Sequence, residues 1–96
     1  MKKNLVSIVV NCFNGEKFLS QTLDSILIQK YKNFEVIFVD NCSTDATSKI
    51  FKKVNDKRFK YFKTKKKINL YKARNYALKK CNGEFIAFLD ADDWWD

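Results

Sequence analysis

The chain has 96 residues, 46% hydrophobic and 16% aromatic, with a formal net charge of +8; this suits one packed domain and excludes a disordered tail. It has no proline and only two glycines, Gly15 and Gly83. That excludes the G-x-G-x-x-G dinucleotide fingerprint and the G-x-x-x-x-G-K phosphate loop, so a bound nucleotide has to be held by side chains and a metal.

The first element is the β-branched run Leu5-Val6-Ser7-Ile8-Val9-Val10, a strand of the kind buried on both faces. It is too short to span a membrane and is followed by no small-residue cleavage site. Asn14-Gly15 marks a turn. From Glu16, apolar residues at Phe18, Leu19, Leu23, Ile26 and Leu27 describe one face of a helix over 16–29. Phe34 to Val39 forms a second strand ending in Asp40-Asn41. Ser43 or Thr44 is placed to cap a helix over 44–54 carrying Ala46, Ile50, Phe51 and Val54. Phe59 to Phe62 is a weak third strand. Leu70, Ala73, Ala77, Leu78 and Cys81 stripe a helix over 69–81, which Asn82-Gly83 stops. Glu84 to Leu89 is a fourth strand, ending in Asp90-Ala91-Asp92-Asp93.

Alternating strands and helices predict an α/β domain, a Rossmann-like, mainly parallel sheet with flanking helices. Right-handed crossovers place all strand C-termini on one edge, where such sheets bind ligands. That edge carries Asn11 to Asn14, Asp40-Asn41 and Asp90 to Asp93. Asp90 and Asp92 are two apart, so in extended chain they face one point. Such carboxylates repel unless a cation lies between them, and hard oxygen ligands suit Mn²⁺ or Mg²⁺. An acidic loop capping a following helix is the plainer alternative. Arg74 sits beside the apolar stripe of the third helix, where a guanidinium needs a partner. Either a structural ion pair or a nucleotide-facing role accounts for it.

The basic residues are almost all lysine; Arg58 and Arg74 are the two arginines. Base-reading proteins rely on the arginine fork, so nucleic acid is not an expected partner. The run Lys60 to Lys67 is the densest charge patch, either a solvated loop or a surface for peripheral membrane contact. Cys12, Cys42 and Cys81 lack metal-ligand spacing and read as free buried thiols. The expected location is cytoplasmic, extending to the inner face of the membrane.

In order, Val6-Ser7-Ile8-Val9-Val10 with Asn14-Gly15-Glu16, Leu23 to Gln29, Phe34 to Asp40 with Ser43-Thr44-Asp45, Ala73-Arg74-Asn75, and Gly83 to Asp93 resemble the family 2 glycosyltransferases over essentially the whole chain. The resemblance implies a glycosyltransferase-A fold, with residues 1–96 as the N-terminal donor-nucleotide part of the domain, apparently truncated. It implies transfer of sugar from a nucleotide-diphosphate donor to a saccharide or lipid-linked acceptor, inverting and metal-dependent. It assigns nucleotide contacts to Asn11, Phe13, Glu16, Asp40, Asn41, Arg74 and Asp90, and Mn²⁺ or Mg²⁺ to Asp92 helped by Asp90. Asn11 and Phe13 would line the base pocket, and Asp40 and Asn41 would contact base or ribose. Asn11 stands where the family often has Pro or Thr, and Asn41 where it often has a second acid; Asn still accepts a hydrogen bond from a base N–H. No residue matches the family's general base, so the chain alone is expected to be inactive. An aspartate-nucleophile phosphotransferase and a non-catalytic nucleotide-binding module remain as alternatives.

Overall fold

The computed structural model describes residues 2–90, and of Asp90 the backbone. Four strands and three helices alternate: β1 (Lys2–Cys12), α1 (Glu16–Leu27), β2 (Phe34–Asp40), α2 (Thr47–Lys52), β3 (Phe59–Lys63), α3 (Leu70–Leu78) and β4 (Gly83–Asp90). The strands form one parallel sheet in the order β3-β2-β1-β4. The predicted α/β class and every predicted element are present.

Alternation along the central strands divides the core into two layers. Ile8, Val10 and Cys12 of β1 and Phe34, Val36 and Phe38 of β2 pack against Leu19, Leu23 and Ile26 of α1 and Phe51 of α2. The Phe38 and Phe51 rings stack at 4.3 Å, with Tyr61 beside them. On the other face Val9, Ile37 and Val39 meet Ala77 of α3. Small residues there bring α3 close to the sheet, so its buried side is just Ala73 and Ala77. Leu78, expected in the stripe, is exposed, as is Phe18 on α1. Edge strand β4 exposes Phe85, Ile86, Phe88 and Leu89, residues of both faces.

Several local expectations are corrected. Neither Ser43 nor Thr44 caps α2, which starts at Thr47 after Ala46 and has no side-chain cap. Both instead tie to Asn14: its N–H donates to the Ser43 Oγ at 2.9 Å, and its Oδ1 accepts from the Thr44 N–H at 2.8 Å. In the Asn14-Gly15 turn the left-handed residue is Asn14, at φ 49°, and Gly15 is the N-cap of α1. The third helix ends at Leu78, so Cys81 lies beyond it. Gly83 opens β4 rather than capping a helix, and the reason is space. A Cβ there would stand 2.6 Å from the Leu5 carbonyl oxygen and 2.7 Å from the Ser7 Oγ. Of the three thiols only Cys12 is buried; Cys42 and Cys81 are half-buried.

A buried polar knot holds the opposite, N-terminal edge. The Glu35 carboxylate accepts from the Ser7 hydroxyl at 2.6 Å, the Asn82 N–H at 2.6 Å and Lys60 at 3.0 Å. Ser7 Oγ in turn accepts from the Gly83 N–H at 2.8 Å. Burial works to raise the Glu35 pKa, but these donors outweigh it and lower the pKa to about 2.

Candidate functional site

At the C-terminal edge the strand register sets Asn11 between Val39 of β2 and Asp90 of β4, and Cys12 opposite Asp40. The three polar strand ends of the sequence therefore share one edge. Loops tie that edge together. The Asn41 N–H donates to the Cys12 carbonyl at 2.8 Å and the Thr64 N–H to the Asp40 carbonyl at 3.0 Å. The Gly15 N–H reaches the Thr47 Oγ1 at 3.1 Å and the Glu16 N–H the Asp45 carboxylate at 3.2 Å. Burial opposes ionisation of Asp45, yet its bonds to the Thr47 hydroxyl, the Thr47 N–H and the Glu16 N–H hold its pKa below the ordinary value.

The expected nucleotide residues divide by how their side chains are used. Asp40 and Asn41 are fully buried and engaged by protein groups. Asp40 accepts from the Tyr61 hydroxyl at 2.5 Å and the Ser43 N–H at 2.9 Å. Burial, followed by the bond to Asp40, pushes the Tyr61 phenol up to about 12, so Tyr61 keeps its proton. Asn41 holds Ile68 and Thr64. Asn11 is also fully buried, but among the described residues neither atom of its amide has a hydrogen-bond partner. Buried amides are rarely left so, and one at a strand end points to a ligand or ordered water as the missing partner. Phe13 is half-buried, its ring covered by the Lys67 ammonium at 3.7 Å. Glu16 is exposed at the start of α1. Arg74, half-buried on α3, sets its guanidinium 5.6 Å from the ring of Phe88, two residues before Asp90. Asp92, the expected chief metal ligand, lies outside the described residues. Among those described, no cluster of three His, Cys, Asp or Glu residues could hold a metal.

The loop from Thr64 to Ile68 walls this edge, a role the sequence reading missed. The available signal was Thr64, the one uncharged residue of Lys63-Thr64-Lys65-Lys66-Lys67, and it is the buried one. Beside it opens a cavity of about 320 Å³ lined by Lys63, Thr64, Lys65, Lys66, Ile68 and Tyr76. The Lys60–Lys67 run is also divided: Lys60 pairs with Glu35 near the N-terminal edge, and Lys65 to Lys67 stand at the C-terminal edge.

A parallel α/β sheet whose C-terminal edge gathers polar strand ends, one of them an amide buried without a partner among the described residues, defines a domain of the Rossmann-like class, in which ligands generally bind at that edge. The family model for Glycosyl transferase family 2 matches residues 7–96. The chain is 43% identical over 91 residues to the UDP-Glc:alpha-D-GlcNAc-diphosphoundecaprenol beta-1,3-glucosyltransferase WfaP of Escherichia coli, covering 95% of this chain and 36% of that relative. S. aureus TarS (residues 1–349) in complex with UDP-GlcNAc superposes with a TM-score of 0.83 at 36% identity, over 90% of this chain and 26% of that one. The mannosyltransferase PcManGT from Pyrobaculum calidifontis, in complex with GDP-Man and Mn²⁺, gives a TM-score of 0.84 at 27% identity, over 90% and 27%. The chain therefore belongs to glycosyltransferase family 2. It spans a little over a third of the length of curated relatives such as WfaP.

Proposed function

We propose that residues 1–96 form the donor-nucleotide part of a glycosyltransferase that moves sugar from a nucleotide diphosphate, UDP foremost, to a saccharide or lipid-linked acceptor with inversion. The observation that carries this reading is the Asn11 amide, buried without a hydrogen-bond partner among the described residues, in the strand row that contains Asp90. An amide can both donate to and accept from a nucleobase edge. WfaP and TarS, with their UDP-sugars, support uridine as the base.

In this reading Asn11 and Phe13 line the base pocket, with Asp40 and Asn41 beside base or ribose. Glu16 and Arg74 flank the nucleotide, and Asp90 lies near ribose and sugar. Asp90 and Asp92 supply hard carboxylate oxygens suited to Mn²⁺ or Mg²⁺, and the Mn²⁺ complex of PcManGT supports that choice. When bound, such an ion neutralises charge on the departing diphosphate. The protein groups orient the donor and keep its base out of water. No residue is assigned as general base, and the 96-residue chain is expected to bind donor without appreciable transfer. No helix among the described residues is long and apolar enough to cross a membrane; in this reading a lipid-linked acceptor is met by peripheral contact, from the cytoplasmic face.

Calorimetric titration with UDP, with and without Mn²⁺, tests the assignment. Binding should strengthen with Mn²⁺ and lose that dependence in Asp92→Ala. Binding indifferent both to the metal and to the substitution would sink the metal assignment, and absence of UDP binding under all conditions would sink the donor reading.

A further inference from the structure

We propose that the outer face of α3, together with the lysine loop preceding it, is a docking surface for an anionic lipid bilayer. From Lys57 to Gly83 the chain carries eleven Lys and Arg residues and no Asp or Glu. This stretch contains edge strand β3, the 64–69 loop and α3, and no acid lies within it, although Arg58 at its start pairs with Asp56 just before it. Two of those cations face inward: Lys60 bonds buried Glu35, and Arg74 lies toward Phe88.

On α3, Tyr71 is 76% exposed and Leu78 is 39% exposed. They are seven residues apart and so share a face two turns long. Lys72 and Lys79, also exposed and seven apart, run beside them. The preceding loop adds exposed Lys65, Lys66 and Lys67. An exposed tyrosine and leucine flanked by lysines match the surfaces that settle into lipid headgroups: the apolar groups enter the interface and the ammonium groups meet anionic lipid. Lysine point charges, in place of the arginine forks that read bases, favour lipid over RNA. The placement also serves the chemistry. Asn41 ties this loop to the edge carrying Asn11 and Asp90, so docking here brings that edge beside the bilayer. In that sense the proposal rests on the lipid-linked reading of the acceptor.

The test is co-sedimentation of the chain with phosphatidylcholine vesicles, with vesicles containing about one quarter phosphatidylglycerol, and with a structured RNA as competitor. Each is measured at about 0.1 M and 0.5 M salt. One variant combines Lys72→Glu and Lys79→Glu, both away from the strand-end edge; a second combines Tyr71→Ser and Leu78→Ser. The control reverses Lys2, Lys3 and Lys32, which line a cavity of about 430 Å³ at the opposite edge. Each variant is also titrated with UDP. Binding selective for anionic vesicles should fall at least about tenfold in the lysine variant and several-fold in the Tyr71 and Leu78 variant. It should stay within about twofold in the control, with UDP affinity preserved throughout. No vesicle binding, equal losses in the control and lysine variants, or displacement by RNA in preference to vesicles would overturn the proposal. Vesicle binding with this residue dependence but no affinity for UDP would uphold the surface and refute the donor reading.

Discussion

Asn41 grips both backbone polar groups of one residue, Ile68: its Nδ2 donates to the Ile68 carbonyl at 2.5 Å, and its Oδ1 accepts from the Ile68 N–H at 2.9 Å. A side-chain amide thus replaces a strand partner for a loop residue 27 positions away. The 64–68 segment stays at the sheet edge because of it. Asn41→Ala leaves that pair of backbone groups unmet. Each such loss costs about 1–3 kcal/mol where water cannot substitute, so the expected destabilisation is roughly 2–3 kcal/mol by urea unfolding. Asn41→Asp keeps the acceptor but loses the donor and buries a charge, so it should be no better tolerated. A variant as stable as the parent would show that the loop is held by other means.

Asn11 has the opposite sign. Its buried amide has no partner among the described residues, so truncation removes a desolvated group rather than a bond. Asn11→Ala should leave stability unchanged or raise it by up to about 1 kcal/mol, and should weaken UDP binding by about tenfold. Thermal unfolding and calorimetry separate the two effects. A large loss of stability with unaltered UDP affinity would assign Asn11 to the fold alone.

Glu35 makes stability depend on acid. Its folded-state pKa of about 2 lies below the ordinary 4.5, so the folded chain holds the carboxylate charged where the unfolded chain takes up a proton. The resulting stabilisation, roughly 3 kcal/mol, is fully present above about pH 4.5 and is lost as pH falls toward 2. Glu35→Gln should lower stability at neutral pH and flatten the decline between pH 4.5 and 2. Urea titrations across that window measure both. An unchanged acid slope would mean that other carboxylates carry the transition.

Gly83→Ala tests the closeness of β4 to β1. The added methyl meets the Leu5 carbonyl oxygen at 2.6 Å and the Ser7 N at 2.8 Å, both backbone atoms. Relief requires the strands to part and breaks the Gly83 N–H to Ser7 contact. A loss of about 1–3 kcal/mol is expected, the usual cost of overpacking. If stability is unaffected, the start of β4 tolerates displacement from β1.

Much of the fold was legible in the sequence because the signals are local. Val6 to Val10 and Phe34 to Val39 announce buried strands by unbroken apolar character, and the spacing of Leu19, Leu23 and Ile26 announces a helix face. Alternation of the two gives a parallel sheet, and a parallel sheet puts Asn11, Asp40 and Asp90 on one edge before any coordinate is known. The helix ends were less legible. Ser43 and Thr44 look like caps from their neighbours, but Asn14, some thirty residues away, engages both.

What only the tertiary structure decided is how each polar group at that edge is used. Asn11, Asp40 and Asn41 look alike in sequence, each a polar residue closing an apolar run. Folded, Asp40 is taken by Tyr61 and Ser43, and Asn41 by Thr64 and Ile68, while the Asn11 amide is buried without a partner among the described residues. Glu35 likewise reads as one more strand residue until Ser7, Lys60 and Asn82 converge on it from 28, 25 and 47 positions away. Periodicity is set by neighbours along the chain, whereas a hydrogen bond is set by whatever the fold brings within about 3 Å.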